Sequence, residues 1–439
     1  MRPASHCSPG FKRAVATFVI ALVFVAAAAP TFIRTWSGQN TPDDFHVVYS
    51  GARAMLDRAE IYTATQGMYI YSPFLAFVFQ PLALLPERIA AAAWLILIAI
   101  IVLAATIVVS YKIAETWQLS PCAGDSNTWL VSAVALLLIF EKVRSEFSLG
   151  QTDCLILFGL ALILYWLDNR PRLAALAVGA TANFKYLALI FVPYFVIKRN
   201  YRAATASIVW FAFFFLLPGL ETGRRLIGDY AMNAVAVLAK VVGGHGFAAV
   251  AFGGRKPVVN SVVWINSVSL TSSVFRLTRS LQLSDLVTAV VIALLFIVIV
   301  VALVWIGHRY NVDLFRPAAE KLAGAHVQKT NSIEWAALIV LALVFGPQTT
   351  ARHMILLMLV YIVGLALVFI EQRRGPRLVL LASIIATAVA LSLPFRQTGI
   401  HPALVALKSA GTASWCSLLL IFSSAIIGCR QICNSRQNS

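Results

Sequence analysis

Long apolar blocks recur from Ala14 almost to the end of this chain, and they limit its fold more than any other feature. A run of about 18 or more apolar residues can cross a bilayer as a helix, and lipid offers backbone groups no partners except one another. Such blocks read at 14–33, 89–110, 129–141, 154–167, 203–219, 285–306, 333–345, 353–370, 378–393 and 413–428. The fold class that follows is all-α, a polytopic membrane bundle forming one embedded domain over 1–439. Composition agrees. Of 439 residues, 60% are hydrophobic and 12% charged, where a soluble domain carries about 25% charged residues. Disorder, collagen and a disulfide scaffold are excluded on the same ground.

Two segments decide the span count. Residues 173–197 form one apolar block with Arg170 and Arg172 before it and Lys198, Arg199 and Arg202 after it. Basic flanks on both sides suggest an even number of crossings, hence a hairpin turning near Asn183 and Lys185. Residues 73–86, bracketed by Pro73 and Pro86, read as a juxtamembrane or re-entrant helix on the outer side. The expected total is twelve spans with both termini cytoplasmic. Lys12 and Arg13 before Ala14–Ala29 resemble a secretory signal, but Pro30 would follow the cut, so a retained first span is expected.

The net charge of +17 comes from basic residues in the loops, where topology puts them. It therefore points to the lipid bilayer surface, and no nucleic acid is expected as a partner. Six cysteines (Cys7, Cys122, Cys154, Cys416, Cys429, Cys433) show no metal-ligand or framework spacing and read as small apolar residues.

Two outer loops, 34–88 and 220–284, are long for a compact bundle, and such loops usually carry function. The second has Gly243, Gly244, Gly246, Gly253 and Gly254, which suggest a mobile surface rather than a phosphate cradle. The first opens Thr41-Pro42-Asp43-Asp44-Phe45, which predicts a helix capped by Thr41 with Pro42 at its first position. Asp43 and Asp44 then either support the helix start or present a carboxylate just beyond the first span. No carboxylate falls at the centre of a span as drawn, with Asp153, Asp285 and Glu334 at span edges. That distribution argues against an ion-coupled pump, which needs intramembrane acids. Further polar groups gather on the expected outer side: Gly150-Gln151-Thr152-Asp153, Lys185 at the hairpin tip, Asn266-Ser267 and Arg276, and Arg352-His353.

The run Asp44-Phe45-x-x-x-Tyr49, followed by Ala52, Tyr62 and Tyr71-Ser72-Pro73, resembles the opening of glycosyltransferase family 87, of the GT-C class. Gly150-Gln151, the stretch Gly179 to Lys185, the polar residues around Asn266 and Ser269, and Arg352-His353 are similar to its later landmarks, in order. The resemblance covers roughly 14–370. It departs at Ala59, where the family usually has glycine, and at Thr349-Thr350-Ala351, where an aromatic is expected. The resemblance implies a multi-span enzyme that takes a hexose, typically mannose, from a polyprenyl-phosphate sugar on the outer face. It also implies that the first outer loop carries the catalytic aspartate, here Asp44.

Chemistry supplies the remaining roles. The acceptor hydroxyl must lose a proton, so one general base is needed, while phosphate is already a good leaving group. Asp44 is therefore the expected base, with Asp43 positioning it or the acceptor. Lys185, Arg276 and Arg352 are expected at the donor phosphate, and Tyr71, Gln151, Asn266 and His353 at sugar or acceptor hydroxyls. No cofactor and no obligatory metal are expected. The acceptor is a lipid or glycan, and the membrane is the plasma (inner) membrane with the site facing the periplasm or exterior. The rival readings are a lipid-linked sugar flippase, which moves its substrate without chemistry, and a non-catalytic scaffold.

Overall fold

A computed structural model describes residues 9–119, 126–242, 259–317, 324–347, 349–392 and 402–437. Cys7, Cys122 and the glycines at 243–254 lie outside the described residues, whereas Cys154, Cys416, Cys429 and Cys433 are free thiols.

The architecture is all-α. The first half contains α1 (Pro9–Trp36), α2 (Asp43–Leu56), α3 (Ile61–Ala64), α4 (Pro73–Ala83), α5 (Glu87–Trp117), α6 (Ser126–Leu138), α7 (Phe140–Leu149), α8 (Asp153–Leu167), α9 (Pro171–Phe184) and α10 (Phe191–Ile197). Then follow α11 (Tyr201–Leu216), α12 (Gly219–Thr222), α13 (Arg224–Val242), α14 (Leu270–Ser280), α15 (Asp285–Arg309), α16 (Ala325–Phe345), α17 (Leu357–Ile370), α18 (Arg374–Ser392), α19 (Pro402–Ser409) and α20 (Thr412–Gln437). Among the described residues the only β-type pairing is one isolated antiparallel bridge, Ser267 with Thr350. Among the described residues, eight helical segments are long and apolar enough to cross a membrane. The other four expected spans, 129–141, 154–167 and the two legs of 173–197, fall on shorter helices, so helix length does not establish twelve crossings.

The buried spine is α17, nearly all of whose side chains are covered, with α5, α6, α16 and α20 against it. The outer helix α15 instead leaves Leu294, Val298, Val301 and Trp305 exposed, an apolar face of the kind lipid covers. Close approach is needed where α9 meets α11. A Cβ on Gly179 would lie 2.6 Å from the Phe211 backbone nitrogen, so only glycine permits this contact.

One end of the bundle is tied by buried polar pairs. Asp168 meets Lys112 at 3.6 Å and accepts from Asn331 at 2.7 Å. Glu334 accepts from Lys198 and from Tyr194 Oη at 2.8 Å each, and from the Phe315 backbone N–H at 2.5 Å. Helix α16 starts at Ala325, before the apolar block from 333, and its early polar residues Thr330, Asn331 and Ser332 are hydrogen-bonded. At the first outer helix one correction applies: Pro42, not Thr41, is the N-cap, and no side chain caps it. Asp43 and Asp44 in the first turn supply the negative charge that such an end favours.

Candidate functional site

At the end away from the Lys198–Glu334 clasp, a cavity of about 330 Å³ opens among α2, the 68–72 loop, the α7–α8 turn, the α9 end and the 350–353 turn. Its wall contains Asp44, Tyr71, Gln151, Lys185, Arg352 and His353. These come from separate stretches of the chain, and each is held by a local device.

Asp44 stands on the first turn of α2, which packs through Phe45, Val48, Ala52 and Met55. Gln151 follows Gly150, the left-handed residue (φ +64°) that ends α7. A Cβ at Gly150 would lie 2.6 Å from Phe45 Cβ and 2.9 Å from Pro42 Cβ, so the turn that delivers Gln151 requires glycine twice over. Trp94 Nε1 donates to the Gly150 carbonyl at 3.0 Å and fixes that turn on α5. Lys185 is extended between α9 and a short 3-10 helix, Tyr186–Ile190. There, Ser72 Oγ donates to the freed Asn183 carbonyl at 2.7 Å, and Asn183 Nδ2 donates to the carbonyls of Gly179 and Phe211. Arg352 and His353 ride on a turn stitched to the 267–272 segment. The Val268 N–H and Ser267 Oγ both donate to the Thr349 carbonyl, at 2.8 and 3.1 Å.

Arg352 Nη1 donates to Asp44 Oδ2 at 2.6 Å, and Gln151 Nε2 donates to the same oxygen. No hydrogen bond from the described residues reaches Oδ1. Burial pushes the Asp44 carboxyl above the ordinary aspartate range, against the pull of Arg352 and Lys185. Lys185 Nζ donates to Asp153 Oδ1, and Asp153 is fully buried. Beneath it, Glu146 accepts from the Cys154 backbone N–H at 2.7 Å. Burial, and then the Asp153 charge, push the Glu146 carboxyl up to about 8.

Three expected site residues stand elsewhere. Asp43 is exposed and does not line the cavity. Arg276 is spent on backbone, donating to the carbonyls of Trp264 at 2.9 Å, Ser267 at 3.3 Å and Ser409 at 2.6 Å. Asn266 accepts from Lys408 Nζ at 3.4 Å, also outside the cavity. Both brace the segment that carries the 349–353 turn, which is why they follow the site residues in sequence without joining them.

Asp153 and Asn183 were named from sequence, among the outer polar groups and at the hairpin turn, but given no site role; Glu146, Tyr186 and Tyr230 were missed. Tyr186 and Tyr230 bond through their hydroxyls on the cavity wall, joining the Lys185 tip to α13. Adjacency to Lys185 could have flagged Tyr186. Nothing local distinguishes Tyr230. No group of three or more His, Cys, Asp or Glu that could hold a metal occurs among the described residues.

The fold and the cavity together define a polytopic all-α membrane protein with one carboxylate and two cations converging at one end of its bundle. The chain belongs to glycosyltransferase family 87, which it matches over residues 69–327. It is 27% identical over 237 residues to the polyprenol-phosphate-mannose-dependent alpha-(1-2)-phosphatidylinositol pentamannoside mannosyltransferase of Mycobacterium tuberculosis, covering 51% of this chain and 50% of that one. A second M. tuberculosis protein, the corresponding phosphatidylinositol mannoside mannosyltransferase, is 28% identical over 184 residues, with 38% and 43% covered. The pentamannoside enzyme of Mycolicibacterium smegmatis is 29% identical over 201 residues, with 42% and 47% covered. The chain thus spans about half the length, or less, of these curated relatives. No solved structure matches it.

Proposed function

We propose that this protein transfers a hexose, mannose by preference, from a polyprenyl-phosphate sugar to a lipid or glycan acceptor at the outer face of the plasma membrane. The observation that carries this reading is the cavity itself: in a family 87 chain, Asp44, paired with Arg352, lines one polar chamber with Lys185. The names of the relatives support the donor class.

The reaction is a single inverting displacement. The acceptor oxygen bonds to the anomeric carbon as the bond from that carbon to the phosphate oxygen breaks, and the acceptor proton passes to Asp44. Oδ1 is the oxygen left for that proton, since Arg352 and Gln151 both donate to Oδ2. The sugar passes through an oxocarbenium-like state, as in glycoside hydrolysis. Polyprenyl phosphate departs with increased negative charge, which Lys185 and the remaining N–H groups of Arg352 stabilise. Tyr71, Gln151 and His353 line the same chamber and contact sugar or acceptor hydroxyls. Asp43, Arg276 and Asn266 take no direct part.

The test is Asp44→Asn in the purified full chain, supplied with polyprenyl-phosphate mannose and a native membrane lipid extract. Transfer should fall by about 10²–10⁴ while expression and insertion are unchanged, because the amide cannot take the proton. Near-normal transfer would remove Asp44 from the mechanism. A flippase would tolerate the substitution and would release no free polyprenyl phosphate.

A further inference from the structure

Asp153 has no role in the chemistry above, yet its surroundings are unusual. It is the first residue of α8, its side chain is 0% exposed, and Oδ1 accepts from Lys185 Nζ. Its second oxygen, Oδ2, is buried without a hydrogen-bond partner among the described residues. A carboxylate oxygen in that state costs free energy unless nearby charge compensates it. His353 Nε2 lies 3.9 Å from it. The Thr350 N–H donates to His353 Nδ1 at 3.1 Å, so the ring proton of the neutral imidazole sits on Nε2, facing Asp153.

We infer that Asp153 is a positioning residue for the donor: it keeps the Lys185 ammonium protonated and aimed into the cavity, where it meets the phosphate. This rests on the reading of Lys185 given under Proposed function. The physical argument concerns a lysine whose side chain is only 22% exposed. Burial alone pulls an amine toward the neutral form. Here burial, the largest single influence, is outweighed by the charge and hydrogen bond of Asp153 together with smaller contributions from Tyr71 and Glu146, which leaves the Lys185 pKa above its ordinary value. The other charged or titratable groups facing Lys185 are Tyr71 before α4, Glu146 on α7, Asp44 on α2, and Arg352 and His353 on the 350–353 turn. None of these bonds Nζ. Glu146, whose carboxyl burial and the Asp153 charge push up to about 8, adds little counter-charge near pH 7 while Asp153 is ionised. A simple helix-start role for Asp153 would need no lysine and would leave donor affinity untouched.

The experiment is donor binding by calorimetry with the purified full chain. The probe is a short-chain polyprenyl-phosphate mannose, a phosphodiester whose single charge is constant across the pH range used. Wild-type Kd should be flat between about pH 6 and 8.5. Asp153→Asn removes the bonded counter-charge and leaves only the unbonded Asp44 and Glu146 carboxyls to oppose burial, so its Kd should rise by about tenfold or more across the same range as the amine deprotonates. Lys185→Arg/Asp153→Asn should restore a flat profile, because guanidinium stays charged regardless of its neighbours. A flat, wild-type-like profile for Asp153→Asn would overturn the inference. If that variant fails to accumulate, the same profile is taken on Asp153→Ser, smaller and also uncharged: a Kd that rises with pH supports the inference, and a flat, wild-type-like profile sinks it. Lys185→Ala separates the two readings. An unchanged Kd there would remove Lys185 from the donor site altogether, whereas a weakened Kd beside a flat Asp153→Asn profile would defeat only the role given to Asp153.

Discussion

In the mechanism proposed above the general base must be ionised when the acceptor arrives, so the environment of Asp44 would set the acid limb of activity. Burial raises its pKa above the ordinary aspartate value, while Arg352 and Lys185 pull it back. Activity should therefore fall as pH drops through that raised value, higher than about 3.9. Removing a cation should move the limb further up. Arg352→Gln is expected to shift the acid limb of kcat/KM to higher pH, besides lowering its plateau; a limb that stays in place would mean another group titrates there. Asp44, Lys185 and the Arg352-His353 pair each have a bland explanation taken singly; what made them legible was their gathering on one expected side, and one cavity is lined by all four. Asp153 was harder to read, since an acid that opens a helix has an ordinary explanation in the helix dipole. Arg276 misled for the opposite reason: a guanidinium can be used up by backbone carbonyls, and the sequence does not show where those carbonyls lie.

Among elements, the junction of α7 with α2 decides whether the site assembles. Gly150 combines a left-handed backbone with a Cβ position already occupied by Phe45 and Pro42. Gly150→Ala should cost about 1–3 kcal/mol in backbone strain and overpacking. Relief requires α7 to withdraw from α2, which takes Gln151 away from Asp44. Transfer should therefore suffer more than thermal stability in detergent. Gly375→Ala is the control: it lies in helix α18 with nothing within 4 Å of an added Cβ, and should gain about 0.4–1 kcal/mol. Equal effects at the two positions would show that the α7–α2 contact is not selective for glycine. The apolar blocks marked the long helices well, because a membrane span needs only hydrophobicity and length. The short ones, α7 to α10, were blurred because α9 gives way to a 3-10 turn at Lys185 through long-range bonds to Ser72 and Phe211, which no local pattern encodes.

For the whole molecule, the two ends differ in how charge is used. At the end holding the Lys198–Glu334 clasp, Lys198 donates to the Arg316 carbonyl and Arg436 to the Asn311 carbonyl, which brings the 198–202 and 309–316 loops and the C-terminal helix together. The short basic connections Arg170–Arg172 and Arg373–Arg377 follow α8 and α17, both of which begin at the cavity end and run away from it. Short loops dense in Lys and Arg are retained on the cytoplasmic side. The function proposed above requires the cavity, at the opposite end, to face the exterior, and the side each loop occupies can be tested directly. In a cysteine-depleted background, a thiol placed at exposed Ser37, beyond α1, should react with a membrane-impermeant reagent in intact cells. Thiols at exposed Arg172 or Arg374 should react only after permeabilisation. Labelling in the reverse order would put the Asp44 cavity in the cytosol, and the transfer reaction would then have to draw its donor from the inner leaflet.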